Sequence, residues 1–243
     1  MRILVTLGMG LLLVGFVIMG CDDDTTEPPY DVTVNPADFV AQIDNPYLPL
    51  TPGTVFFYDG TGDGGHETNT VTVTNQTYVV LGVTCTVVED TVLVDGELLE
   101  ATTDWYAQDT DGNVWYFGEA SRDFENGVIV STGGSWEAGQ RGAQPGIVML
   151  ADPRVGQSYR QEYEPGVAED RARVISRSVS VSVPYGSFTN CVQTEEWTDL
   201  EPGVVEYKTY ASGVGVVSEM TLVGGNDSSK LVSITGTLSR QRN

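Results

Sequence analysis

From Thr54 onward, short runs of alternating apolar and polar residues recur, and no stretch sustains the spacing of an amphipathic helix. The clearest run is Ser178-Val179-Ser180-Val181-Ser182-Val183, where an extended chain points every Val to one side and every Ser to the other. One face is expected to pack on a core and the other to meet water. The phase holds back through Arg177 to Ile175, but Val174 and Ala172 fall on the opposite parity, which predicts a bulge or a change of buried face near Val174-Ile175. Val71 and Val73 between threonines repeat the pattern, as do Val205 and Tyr207 beside Glu206 and Lys208.

The runs are separated by Asp95-Gly96, Asp111-Gly112, Asn126-Gly127, Gly133-Gly134 and Gly224-Gly225, dipeptides that supply the positive φ of tight hairpins. Counting runs predicts roughly a dozen strands, more than the about seven of a compact immunoglobulin-like sandwich. The expected fold class is all-β: an antiparallel meander forming a curved sheet, partial barrel or large sandwich, with one short N-terminal helix. That helix is predicted over residues 35–43, with Asn35 at the N-cap, Pro36 at the first helical position and Asp38 in the first turn.

Ahead of this domain, Arg2 is followed by an apolar stretch over residues 3–19 and then Gly20-Cys21, the layout of a secretory signal. Ile18-Met19-Gly20-Cys21 resembles the lipobox of bacterial lipoproteins. That resemblance implies cleavage before Cys21, acylation of its sulfur (palmitate among the acyl groups), and a membrane-anchored protein of the cell envelope facing the periplasm or exterior. Several acyl chains on one Cys, each methylene contributing about 0.8 kcal/mol, anchor a protein without a spanning helix. The expected organisation is a signal peptide over 1–20, the lipidated Cys with an acidic tether over 21–34, and a single β-rich domain over 35–243. Residues 22–29, reading DDDTTEPP, have the composition of an extended, solvated tether.

Charge narrows the partners. The chain carries 12 basic and 34 acidic side chains, a net −22, and losing Arg2 leaves 11 against 34, or −23. Nucleic acid is excluded, because phosphate neutralisation needs clustered Lys and Arg. Peripheral docking on anionic lipid is excluded for the same reason, and the plain role of such charge is solubility. With Cys21 acylated, Cys85 and Cys191 remain, both in strand-like runs. They either form a disulfide, worth about 4 to 5 kcal/mol by loop-closure entropy, or are two buried free thiols.

The densest candidate segment runs from Asp104 to Glu119, two aromatic strands joined by an acidic turn. Trp105 and Trp115 are candidates for stacking on a ring-bearing ligand; they serve equally as cross-strand pairs that stabilise a hairpin. Asp109, Asp111 and Asn113 begin like a calcium loop, but an EF-hand requires Gly where Val114 stands and Glu where Ala120 stands, so an ordinary turn is expected. His66 is the sole His, which excludes a multi-His zinc site, and Ser135 lacks the second Gly of a nucleophile elbow. Glu162, Glu195, Glu196 and Glu206 lie in strand-like runs where a carboxylate pair for glycoside cleavage could form. No cofactor is expected.

Several phrases together resemble an uncharacterised family of bacterial exported proteins and lipoproteins: Asn45-Pro46-Tyr47-Leu48-Pro49-Leu50, the Asp104 to Glu119 hairpin, Ser135-Trp136-Glu137-Ala138-Gly139, and Val183-Pro184-Tyr185-Gly186-Ser187-Phe188 with Cys191. The resemblance covers most of the mature domain, implies a curved antiparallel sheet, and transfers no catalytic residue. The leading expectation is a non-enzymatic, lipid-anchored envelope protein whose β domain binds a lipid, a glycan or an envelope protein. The rivals are a carbohydrate-active enzyme using paired carboxylates and a structural or assembly lipoprotein. An apolar tunnel lined by Val and Leu would favour lipid carriage, and an open groove with Trp105 or Trp115 beside two facing acids would favour the enzyme.

Overall fold

The computed structural model describes residues 30–62 and 64–237. The signal at 1–20, the lipobox at Ile18-Cys21 and the acidic run at 22–29 lie outside the described residues.

Among the described residues the chain forms β1 (Phe39–Val40), β2 (Thr54–Gly62), β3 (Gly65–Val80), β4 (Val83–Val94), β5 (Glu97–Asp109), β6 (Val114–Glu125), β7 (Val128–Ser131) and β8 (Trp136–Glu137). The second half contributes β9 (Gln144–Met149), β10 (Ser158–Arg160), β11 (Glu162–Tyr163), β12 (Arg171–Val183), β13 (Gly186–Trp197), β14 (Val205–Ala211), β15 (Gly215–Val223) and β16 (Ser228–Gly236). All sixteen belong to one sheet. The turns at Asp95-Gly96 and Asn126-Gly127 have both central residues at positive φ, as the sequence predicts for two-residue hairpins.

The sheet runs in the order β10-β12-β13-β14-β15-β16-β2-β3-β4-β5-β6-β9-β11, with each of these neighbours antiparallel. Its two edges, β10 and β11, are consecutive in the chain and separated by Gln161 alone. One bent segment therefore pairs with β12 on one side of the bend and with β9 on the other, and it draws the sheet into a nearly closed barrel. Gly146 on β9 makes that crossing possible, because a Cβ there would run into the backbone of Gln161 and Glu162. Closure removes the long unpaired edges that a sheet of this size would otherwise expose.

The alternating segment behaves as expected, with Val179, Val181 and Val183 half-buried and the intervening serines exposed. The anticipated irregularity is present as register shifts between Val174 and Val181 along the β12–β13 ladder. Two expectations change. The helix over residues 35–43 reduces to one 3-10 turn at Pro36–Asp38, capped by the Asn35 side chain accepting from Ala37 N–H. Phe39 leaves helical geometry because β1 pairs with the end of β5 and its ring packs edge-on against Trp115 and Phe117. The second change is at β14: Lys208 is 4% exposed and faces into the barrel, where the alternation had placed it in water.

Cys85 and Cys191 are free thiols, buried among the core side chains. Burial pushes the Cys85 thiol up to about 12 and raises that of Cys191.

Candidate functional site

Cross-strand partners share a face of a sheet, so the register gives the interior row by row. One row contains Glu67, Gly60, Ser229, Glu219, Lys208 and Thr194 on six neighbouring strands. A second contains Val73, Val88, Asp104, Glu119 and Trp136. A third pairs Glu196 with Glu206. The barrel interior is thus acidic and polar over part of its height. Alternating patterns on β13 to β15 misplace this face because Lys208 and Glu196 satisfy one another in the interior.

Glu196 is the best-satisfied member. It accepts from the Thr194 hydroxyl at 2.7 Å and from Tyr210 at 3.3 Å, and its other oxygen lies 2.9 Å from Lys208 Nζ. Burial raises the Glu196 carboxyl, but Lys208 and the Thr194 hydroxyl outweigh it and hold it below its ordinary value. For Lys208, burial works to lower the amine, and the carboxylates of Glu196 and Glu219 outweigh it and keep the ammonium.

On the opposite wall, Tyr116 Oη lies 2.6 Å from both Asp104 Oδ1 and Glu119 Oε2. A phenol has one proton to give, so the second short contact needs a proton on a carboxyl. Burial accordingly raises Asp104 to about 6 and Glu119 to about 7. Glu162 accepts from Trp136 Nε1 at 3.1 Å and is pushed by burial to about 8.

Between these walls lies a cavity of about 60 Å³. Leu50, Phe56, Val71, Val88, Val148 and Val214 give it an apolar surface, and Lys208, Glu219, Tyr106 and Gln161 give it polar groups. The segment from Leu48 to Leu50 forms part of its wall, and Pro49 and Leu50 also border an outer groove of about 330 Å³. Asn45 locks this segment in place: its Nδ2 donates to the carbonyls of Gly112 and Leu150, and its Oδ1 accepts from Tyr47 and Leu48 N–H.

The residues singled out from sequence occupy other places. Trp105 packs at a tilt on Tyr78, a surface residue, with ring centroids 4.7 Å apart. Trp115 packs on Phe39 and donates to Asp109 Oδ2 at 2.7 Å. Neither indole lines the cavity. Both oxygens of Asp109 are taken up within the turn, accepting from Asn113 N–H, Asn113 Nδ2 and Trp115 Nε1, while Asn113 Oδ1 accepts from Ala151 N–H. Asp111 is exposed at the tip. The Asp109, Asp111 and Asn113 trio is a self-capped turn, and the described residues contain no cluster of three or more His, Cys, Asp or Glu arranged for a metal. His66 lies exposed on β3, 2.9 Å from Asp59. Glu195 pairs with Arg173 on the exposed side of the β12–β13 ladder.

Sequence reasoning missed Asp104, Tyr106, Tyr116, Glu119, Lys208 and Glu219. A usable signal lay in the aromatic hairpin: in Trp105-Tyr106 and Trp115-Tyr116 the tyrosines share a face opposite to the tryptophans. A phenol can serve buried carboxylates as a donor, so that face suits a polar interior.

Fold and interior together define a nearly closed antiparallel barrel whose interior is acidic over part of its height and holds a small chamber. No protein-family model and no curated protein matches the chain. Among solved structures, it is similar to a Bacteroides fragilis protein described as exported, with a YmcC-like fold, at 17% identity and a TM-score of 0.46, covering 78% of this chain and 98% of that one. It is also similar to a Parabacteroides distasonis protein described as a lipoprotein, at 10% identity and a TM-score of 0.43, covering 80% of this chain and 100% of that one.

Proposed function

We propose that this chain is a lipid-anchored protein of the bacterial envelope whose barrel holds a small, partly apolar molecule in its interior and carries out no bond-making step. The observation that carries this reading is the chamber itself, walled by Phe56, Val71, Val88 and Val148 and closed at one side by the Leu48 to Leu50 segment. Space next to apolar side chains forgoes dispersion and burial energy unless something fills it. Of the facing acids, Asp104 and Glu119 have the Tyr116 hydroxyl between them, Glu196 opposite Glu206 is engaged by Lys208, Thr194 and Tyr210, and none of the four lines this chamber. The anchor follows from Ile18-Met19-Gly20-Cys21, and the acidic run at 22–29 serves as its tether.

Native mass spectrometry of the intact protein, extracted from its own envelope in detergent, tests both halves. The expected spectrum shows an acylated chain beginning at Cys21 and a bound small molecule that disappears in Val148→Phe, which fills the chamber. An unmodified N-terminus overturns the anchor. A ligand-free mass, together with a melting temperature unmoved by n-butanol, overturns the binding role.

A further inference from the structure

The ladder that completes the barrel is also the shortest on the path around the sheet. β9 and β11 match only at Glu162 with Pro145 and at Tyr163 with Gln144, and Pro145 brings no N–H to the join. Both sides of this seam border the chamber, through Val148 on β9 and Gln161 next to β11. The Leu48 to Leu50 wall is held by the four hydrogen bonds of Asn45, so the seam is the less secured way in.

A residue ahead of the first strand clasps both sides of the seam. Toward β9, Tyr30 Oη donates to Pro145 O at 2.9 Å, and the Gln144 side chain accepts from Val32 N–H at 2.6 Å and donates to Tyr30 O. Toward β10 and β11, the Tyr30 ring meets the Tyr163 ring edge-on with centroids 5.4 Å apart. The Arg160 guanidinium lies 5.6 Å from the Tyr30 centroid and 4.8 Å from that of Tyr163. Burial pushes the Tyr30 phenol up to about 12, so it keeps the proton it donates. Resting on the interior-binding role above, we infer that the β9–β11 seam is the door of the chamber and that the segment from Tyr30 to Val32 is the latch that holds it shut. Removing the Tyr30 ring frees both sides at once. β11 then keeps its two-position ladder and the bond from Trp136 Nε1 to Glu162 at 3.1 Å. Local opening draws on such sparsely tied segments and leaves long ladders intact. Tyr30 stands nine positions after Cys21, so the latch is where the anchored end of the chain meets the chamber.

Hydrogen exchange followed by NMR on the intact protein, with n-butanol as the probe ligand, tests the latch. In Tyr30→Ala, Trp136 Nε1–H and the amides of Glu162 and Tyr163 are expected to exchange at least about tenfold faster, while amides of the β3–β4 ladder change less than about twofold. Bound n-butanol is expected to leave at least about tenfold faster with its affinity changed less than about threefold, because a latch sets rates and not the contacts inside. Tyr30→Phe keeps the ring contacts, loses one hydrogen bond and should fall between. Gln144→Ala releases Val32 N–H and leaves the rings in place. It is a second variant in case Tyr30→Ala does not fold, and it should speed the same sites. If Trp136 Nε1–H and n-butanol both keep their native exchange rates in these variants, the latch falls and the interior-binding role stands. Faster exchange at the seam with an unmoved n-butanol rate places the door elsewhere and also overturns the inference. If n-butanol binds neither the native protein nor the variants, the interior-binding role falls and the door falls with it.

Discussion

Asp104 and Glu119 face each other across β5 and β6 and share the Tyr116 hydroxyl, at 2.6 Å from each carboxyl. One phenolic proton cannot serve two carboxylates, so the trio holds an additional proton. Tyr116→Phe removes the shared group and leaves two buried carboxyls facing each other, with Asp104 Oδ2 already unpartnered. The expected loss is about 1–3 kcal/mol of unfolding free energy, read from urea denaturation. A change below about 0.5 kcal/mol, the range of ordinary surface substitutions, would show that the bridge contributes nothing.

The same chemistry predicts how stability follows pH. Burial raises Glu162 and Glu206 to about 8 and Glu100, Glu119 and Glu219 to about 7, against about 4.3 in an unfolded chain. The folded protein holds protons that the unfolded chain has released, so these groups contribute stability that is full below about pH 4 and is lost as pH rises through 7 and 8. Glu196, held low by Lys208 and Thr194, works oppositely and loses its contribution only in acid. Melting temperature should therefore fall from pH 5 to pH 8.5, with a smaller slope in Glu162→Gln. A flat or rising profile for the native protein contradicts the buried-acid account.

The outer half of this design was legible in the sequence and the inner half was not. Val179, Val181 and Val183 alternate with serines because one face meets water and the other packs, and that contrast survives in a one-dimensional pattern. The turns at Asp95-Gly96 and Asn126-Gly127 were equally readable, since few residues adopt positive φ at low cost. The alternation along β14 predicts an exposed Lys208, because a charge in an alternating strand ordinarily faces water. Its burial depends on Glu196, which lies on the neighbouring strand at a register that no local pattern encodes. The helix expected after Asn35 had a sound N-terminal signal, but pairing of Phe39 with Asp109 overrode it after one turn.

Lys208 and Glu196 give a direct test of that dependence. Lys208→Met leaves the Glu196 carboxylate buried without its cation, and removing one partner of a buried pair costs about 3–5 kcal/mol. The double variant Lys208→Met/Glu196→Gln removes both charges and should recover more than half of that loss. Equal destabilisation of the single and double variants would mean that Lys208 contributes through packing alone.

The two core cysteines offer a chemical readout. Both are free and buried, and burial raises the thiol of each, so neither should react with iodoacetamide at pH 8 in the folded state. In urea without reductant, both Cys85 and Cys191 should be alkylated. Failure of the two to label in urea unless reductant is added would establish the disulfide instead.

Gly146 tests the closure of the barrel. Gln161 donates its N–H to Asp170 O at 2.8 Å as the chain passes between the sheet's two edges, and a methyl group on residue 146 would occupy the space of that backbone. Because the obstacle is main chain held by β9 and β12 on either side, it cannot rotate away as a side chain would. Gly146→Ala should therefore cost about 1–3 kcal/mol, the scale of overpacking a filled core. Hydrogen exchange should locate the damage, with amides of β10 and β11 losing protection before those of the β3–β4 ladder. If Gly146→Ala instead melts like the native protein with uniform protection, the bend at Gln161 has room to move and does not tie the two edges together.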